Sequence, residues 1–125
     1  MSALTEEFQN LEAWRKAHSL VSSVYDFSSH FPHSEFYILT TPMRLSAVSV
    51  SASIMEGYRK KSRREQMRLL GSARASLEKT RHYLLVSGTL NFGDTSNLIV
   101  EVDEVAQLLS VPNGVLGIIQ NKRTL

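Results

Sequence analysis

Apolar residues recur along this chain three and four apart, the helical spacing, in four separate stretches. In the first, Leu11, Trp14, His18, Val21, Tyr25 and Ser28 alternate by three and four, and Ala17, Leu20, Val24 and Phe27 widen the stripe. The pattern predicts a helix from about 10 to 30, ended by Pro32, because proline disfavours helical geometry in the residue before it. His18 lies in the seam and reads as a packed, hydrogen-bonded core histidine. Trp14 is expected to be buried against the second and third helices.

The second stretch, about 35 to 59, carries Leu39, Met43, Ala47, Val50 and Ile54. Ser34 is the expected N-cap. Pro42 is awkward inside this helix. It requires a kink or a late start near Thr41, with Thr40 or Thr41 as the cap and Pro42 at a tolerated first-turn position. Ser46, Ala47, Ser49, Ser51, Ala52 and Ser53 are small, so a neighbouring helix can come close. A tightly packed central helix and a ligand groove are both open readings of that run.

The third helix, about 62 to 87, opens with the capping-box pattern Ser62-x-x-Glu65. It carries Met67, Leu70, Ala73, Leu77, Thr80 and Leu84 and is expected to stop at Gly88. A turn over Asn91-Phe92-Gly93-Asp94 leads to a fourth helix capped by Asp94 or Thr95, with Leu98, Val102, Val105 and Leu109 along its stripe. That helix is expected over about 95 to 120, interrupted near 112 by Pro112, Asn113 and Gly114. Val115, Leu116, Ile118 and Ile119 then resume a short helix or a packed tail, and Lys122 and Arg123 complement its terminal dipole. Four helices with short connections predict an all-α, antiparallel up-down-up-down four-helix bundle, one domain over residues 1–125.

Charge changes this picture more than composition does. The formal net charge is +2, yet Arg59, Lys60, Lys61, Arg63, Arg64, Arg68, Arg74, Lys79 and Arg81 face only Glu65 and Glu78 in the same stretch. The rest of the chain is correspondingly acidic, with Glu6, Glu7 and Glu12 early and Glu101, Asp103 and Glu104 late. Such asymmetry suits a polyanionic partner or head-to-tail contact between subunits. The chain has no cysteine, which excludes disulfides and thiolate chemistry and fits a reducing cytoplasm. Its first ten residues do not read as a signal peptide, and no apolar run approaches the ~18 residues of a membrane span. No membrane association is expected.

Catalytic patterns are not found. His30 and His33 straddle Pro32, Asp26 and Glu78 stand four residues before His30 and His82, and no Glu-x-x-His occurs. No metal site and no cofactor are expected. Gly-x-Ser-x-Gly and glycine-rich phosphate loops are missing. Glu56 ends an apolar face and reads as a structural ion pair with Arg44 or Arg59, the alternative being an acid or base in a pocket. The basic stretch is the one positive signal. Arginine forks match phosphate oxygens in pairs, and Arg64, Arg68 and either Arg74 or Arg81 can share a helix flank. Tyr58 and Tyr83 offer stacking surfaces or belong to the core. A phosphate-binding surface and a solvated basic face both remain open.

Several of these residues stand in a familiar order. Trp14-x-x-Ala17, Leu20, Tyr25, Phe31-Pro32-x-x-Glu35, Tyr37-x-Leu39-Thr40, Arg44, Ser49, Ile54, Glu56-Gly57, Arg59-x-x-Ser62 and Ser76-Leu77-Glu78 together resemble the four-helix-bundle proteins encoded in intervening sequences of bacterial 23S ribosomal RNA genes. They are similar as well to the accessory protein of diversity-generating retroelements. The resemblance runs from about Phe8 to Ile119. It implies a four-helix protomer, a homopentameric ring, a nucleic-acid-binding role and no catalysis. Trp14, Glu35, Arg44, Glu56 and Gly57 are its structural motif residues. The sequence departs from the pattern at Pro42, where glutamine is usual, at Leu45 for arginine, at Ser53 for asparagine and at Met55 for alanine.

The expectation is therefore a cytoplasmic, non-enzymatic homo-oligomer that binds RNA more than DNA and takes no small-molecule substrate. Arg59, Lys60, Lys61, Arg63, Arg64 and Arg68 make its phosphate contacts. The alternative is a structural or protein-interaction oligomer without nucleic acid. A third reading, an enzyme, rests only on Glu56 and scattered histidines.

Overall fold

The computed structural model describes residues 7–110. Four helices follow one another: α1 (Glu12–Ser28), α2 (Thr41–Arg59), α3 (Arg63–Thr89) and α4 (Ser96–Ser110). A short 3₁₀ turn, Phe8–Asn10, precedes α1. The expected interruption near Pro112, the resumption at Val115–Ile119 and the Lys122–Arg123 dipole partners lie outside the described residues.

Side-chain pairings give the helix directions. Arg44 meets Ser28, while Tyr58, further along α2, reaches back to Glu7 before α1. Ser46 pairs with Thr80 and Gly57 lies beside Leu69, so α2 and α3 run oppositely. Arg74 meets Leu109 and Arg81 meets Asp103 on α4, and Lys16 meets Glu104 where Ser23 meets Glu101. Each helix is therefore antiparallel to its neighbours, and contacts run α1–α2, α2–α3, α3–α4 and α4–α1. That is the up-down-up-down bundle.

The predicted stripes meet in its core. Ala17, Leu20 and Val24 pack with Met43, Ala47, Val50 and Ile54, with Leu70, Ala73, Leu77 and Leu84, and with Val102, Val105 and Leu109. Three members of the expected first-helix seam differ: Tyr25 is 44% exposed, and His18 and Trp14 also depart. His18 is exposed and stacks flat on Trp14, with ring centroids 4.6 Å apart. Trp14 is only half-buried, its partners being His18 and the edge of Phe8 at 5.1 Å. The stripe of α1 is wider than a bundle seam needs, so its Trp14–His18–Tyr25 edge turns outward while Leu11, Ala13, Ala17, Leu20 and Val24 turn in.

Pro42 takes the late-start solution. The chain passes from a 3₁₀ turn, His33–Glu35, into one wide π turn, Phe36–Thr40, and only then into α2. The Thr41 N–H donates to the Phe36 carbonyl five residues back. A regular turn would drive the proline ring against the carbonyl four residues earlier, and widening the turn avoids that clash. None of Ser34, Thr40 and Thr41 acts as a side-chain cap, because the helical path is already continuous there. The continuity has a second consequence. The helical run His33–Arg59 is long and apolar enough to span a bilayer, which the apolar runs of the sequence had not suggested. Its Met43, Ala47, Val50 and Ile54 face the bundle core, and its Arg44 is engaged with α1.

Ser62 caps α3, with the Glu65 N–H donating to its hydroxyl at 3.4 Å; the return bond of a capping box, from the Ser62 N–H to the Glu65 carboxylate, does not form. Gly88 does not stop this helix. It lies within the last turn, and Asn91 instead takes the left-handed conformation at φ 60°. Asp94 caps α4, accepting from the Ser96 N–H at 3.0 Å and the Ser96 hydroxyl at 2.6 Å. These bonds hold the Asp94 carboxyl below the usual aspartate range. The stabilisation they supply is present above the unfolded-state value and is lost as pH falls through the lower folded-state value. Asp94→Ala is therefore expected to lower the melting temperature at neutral pH, and the gap from the parent should close in strong acid.

Gly93 brings the α3–α4 turn against the end of α1. Its φ is 155°, and an added Cβ would lie 2.6 Å from Cε1 of Phe27, whose ring packs on Phe31 and through it on Phe92. Gly93→Ala should cost about 1–3 kcal/mol through overpacking and backbone strain. Urea denaturation checks this; an unchanged midpoint would mean that the aromatic end yields freely.

Candidate nucleic-acid interface

The α2–α3 connection concentrates the charge. Alpha-helical geometry ends at Arg59, Lys60 is extended at φ −78° and ψ 147°, and α3 begins at Arg63. Only three residues join two long antiparallel helices, so the turn is tight and its side chains splay outward. A residue that the sequence reading missed fixes it. Gln66 is 1% exposed, and its Nε2 donates to the Lys60 carbonyl at 2.9 Å. A glutamine at a core-facing position of α3 was the available signal, since a buried amide must find partners. The buried Tyr58 hydroxyl donates to Glu7, which pins the same end of α2 to the segment before α1.

Around this turn Arg59, Lys61, Arg63, Arg64 and Arg68 are exposed and Lys60 is half-buried. The Arg59 guanidinium lies over the Phe8 ring at 5.5 Å. Arg64 and Arg68 are one helical turn apart on the same face. Among the described residues the ion pairs are Lys16–Glu104, Arg81–Glu78 and Arg81–Asp103. None involves Lys61, Arg63, Arg64 or Arg68, and the one carboxylate within this group in sequence is that of Glu65. The positive end of the α3 dipole lies in the same place. An anionic chain passing the turn would meet forked donors and a helix N-terminus together.

The longer basic flank does not form. Arg74 donates to the Leu109 carbonyl at 3.0 Å, and Arg81 bonds Asp103 at 2.6 Å, so both are turned toward α4. Their positions on the wheel of α3 lie about a quarter of a turn from Arg64 and a third or more from Arg68. Tyr58 is fully buried and offers no stacking surface; Tyr83 is half-buried. Leu45, at the position where arginine is usual, is 64% exposed and leaves that part of α2 apolar.

The structural motif residues stay apart. Trp14 packs at the Phe8 end, and Glu35 lies in the turn before α2. Arg44 closes the C-terminal end of α1: Nε donates to the Ser28 hydroxyl at 2.8 Å, Nη2 to the Tyr25 carbonyl at 3.3 Å, and the guanidinium lies 4.5 Å from the Tyr25 ring centroid. Gly57 lets α3 approach, with Leu69 and the Gln66 carbonyl within 3.6 Å of where a Cβ would stand. Glu56 is exposed and does not form the expected ion pair. Arg44 is twelve residues away along α2, roughly 18 Å by helical rise, and Arg59 is turned to Phe8. No group of three histidine, aspartate or glutamate side chains among the described residues could hold a metal ion.

A family model for 23S rRNA-intervening sequence proteins matches residues 9–111. The chain belongs to this family. The match takes in all four helices and the whole basic turn of this 23S rRNA-intervening sequence protein. No curated protein matches the chain.

Proposed function

We propose that this protein is a non-enzymatic, cytoplasmic homo-oligomer that binds nucleic acid, RNA ahead of DNA, through the α2–α3 turn. The carrying observation is the cluster of exposed Lys61, Arg63, Arg64 and Arg68 without carboxylate partners at the positive end of α3. RNA is put ahead of DNA because the family takes its description from 23S rRNA intervening sequences. Backbone contact by such a surface releases counterions, so binding should fall steeply with salt. Replacing Arg63, Arg64 and Arg68 together with glutamine should weaken binding to all RNA sequences alike and flatten the salt slope by about one unit per lost contact. Fluorescence titrations with a structured RNA at several salt concentrations decide the matter. Equal affinity of parent and variant, or no binding by the parent at low salt, refutes the reading.

A second observation favours assembly and, with it, the protein-interaction alternative. Tyr37 and Ile38, in the turn before α2, are 84% and 73% exposed, and Val48 on α2 is exposed as well. An apolar surface of this kind on a small bundle suits a partner, here further copies of the chain. Light scattering should show a closed oligomer of five subunits, the number that the family resemblance implies. Ile38→Glu combined with Val48→Glu should give folded monomers. A monomeric parent at micromolar concentration would contradict the assembly proposal.

A further inference from the structure

Between α2 and α3, away from the basic turn, the small residues leave a hollow of about 180 Å³ lined by Pro42, Leu45, Ser46, Ser49, Ser76, Lys79 and Tyr83. Its walls follow from the sequence. Ser46 and Thr80 hydrogen-bond at 2.8 Å between the helices, which draws the backbones together and leaves Ser49 and Ser76 too short to fill the surface groove above them.

The donors in this hollow are uneven. Ser46 donates to the Met43 carbonyl and Ser49 to the Leu45 carbonyl, so those hydroxyl protons are engaged. The Ser76 hydroxyl, the Tyr83 hydroxyl and the Lys79 ammonium have no hydrogen-bond or ion-pair partner among the described residues. The hollow has no acidic residue in its lining, and nearby Glu78 is paired with Arg81 instead. Three available donors, one of them cationic, with no carboxylate among them, match a phosphate oxyanion better than a cation or an apolar ligand.

Its place on α3 adds to this. Arg64, Arg68, Ser72, Ala75 and Lys79 follow one another at four, four, three and four residues and so share one outward face. Ser72 and Ala75, small and exposed, leave the path between Arg68 and Lys79 unobstructed. That path is roughly 16 Å by helical rise, a span of several phosphates along a nucleic-acid backbone.

We infer that this hollow is a second phosphate-binding point, in which Lys79, Ser76 and Tyr83 hold a backbone phosphate of the nucleic acid whose other phosphates lie at the α2–α3 turn. The inference rests on the proposed nucleic-acid reading and extends its footprint along α3. It assigns Lys79 a role different from that of Arg74 and Arg81, which α4 engages.

The test uses the full-length protein, a fluorescent RNA hairpin and a salt series. Lys79→Gln should weaken binding five- to tenfold at low salt and flatten the salt slope by about one unit. Ser76→Ala combined with Tyr83→Phe should weaken it three- to tenfold with the slope unchanged, because neutral donors release no counterions. Arg15→Gln on α1, the helix diagonal to α3, removes the same charge and should change little. Melting curves and light scattering establish that each variant is folded and assembled as the parent is; should the double variant unfold, Tyr83→Phe alone carries the neutral-donor arm. If RNA binding is lost in the Arg63, Arg64, Arg68 variant but Lys79→Gln behaves as Arg15→Gln does, or the neutral-donor variant binds as the parent does, the second point is refuted and the turn remains the site. If the parent binds no RNA, the nucleic-acid reading fails and the inference falls with it.

Discussion

The close approach of α2 and α3 is the constraint on which the rest of this structure depends. Ser46, Ser49, Ser53 and Gly57 form a row of small residues at three- and four-residue spacing along the side of α2 that faces α3. Large side chains there would hold the helices apart. With small ones the backbones come near enough for the Ser46–Thr80 hydrogen bond and for Gly57 to lie against Leu69. Two helices so close can be joined by very few residues, and those residues are Lys60, Lys61 and Ser62. The exposed charge at the turn is thus a product of the packing as well as of the composition. Buried Gln66 then holds the turn in place by its bond to the Lys60 carbonyl.

Much of the fold was legible in the chain. The stripes of α2, α3 and α4 place Met43, Val50, Leu77, Val102 and Leu109 in the core as their periodicity requires, and the Ser62 and Asp94 caps are local signals that operate locally. The errors have physical reasons. His18 and Trp14 fall on a stripe wider than the bundle seam, and periodicity alone does not say which edge of a broad stripe turns outward. Gly88 has the residue type of a helix stop, but Asn91 has the backbone for it, three residues on. Pro42 allowed two solutions, and the π turn that decides between them leaves no sequence mark of its own.

The candidate site was legible only in part. The charges of Lys61, Arg63, Arg64 and Arg68 can be counted from the sequence; their lack of carboxylate partners cannot. Arg74 and Arg81 looked equivalent to them, and only the position of α4 separates the two groups. Glu56 looked like a partner for Arg44, but an arginine can equally close a helix C-terminus, and carbonyl oxygens, a serine hydroxyl and the Tyr25 ring hold it there. Gln66 has no charge and no motif, so its role at the turn becomes visible only when its burial is known.

The central claim is that nucleic acid lies on the α2–α3 turn. Lysine acylation read by mass spectrometry, with and without saturating structured RNA, tests this directly. Lys61 is exposed at the turn, whereas Lys16 is on α1 and paired with Glu104 at 2.6 Å. The account predicts that bound RNA protects Lys61 from acylation and leaves Lys16 as reactive as before. Unchanged reactivity of Lys61 with RNA bound, or protection confined to Lys16, would contradict it.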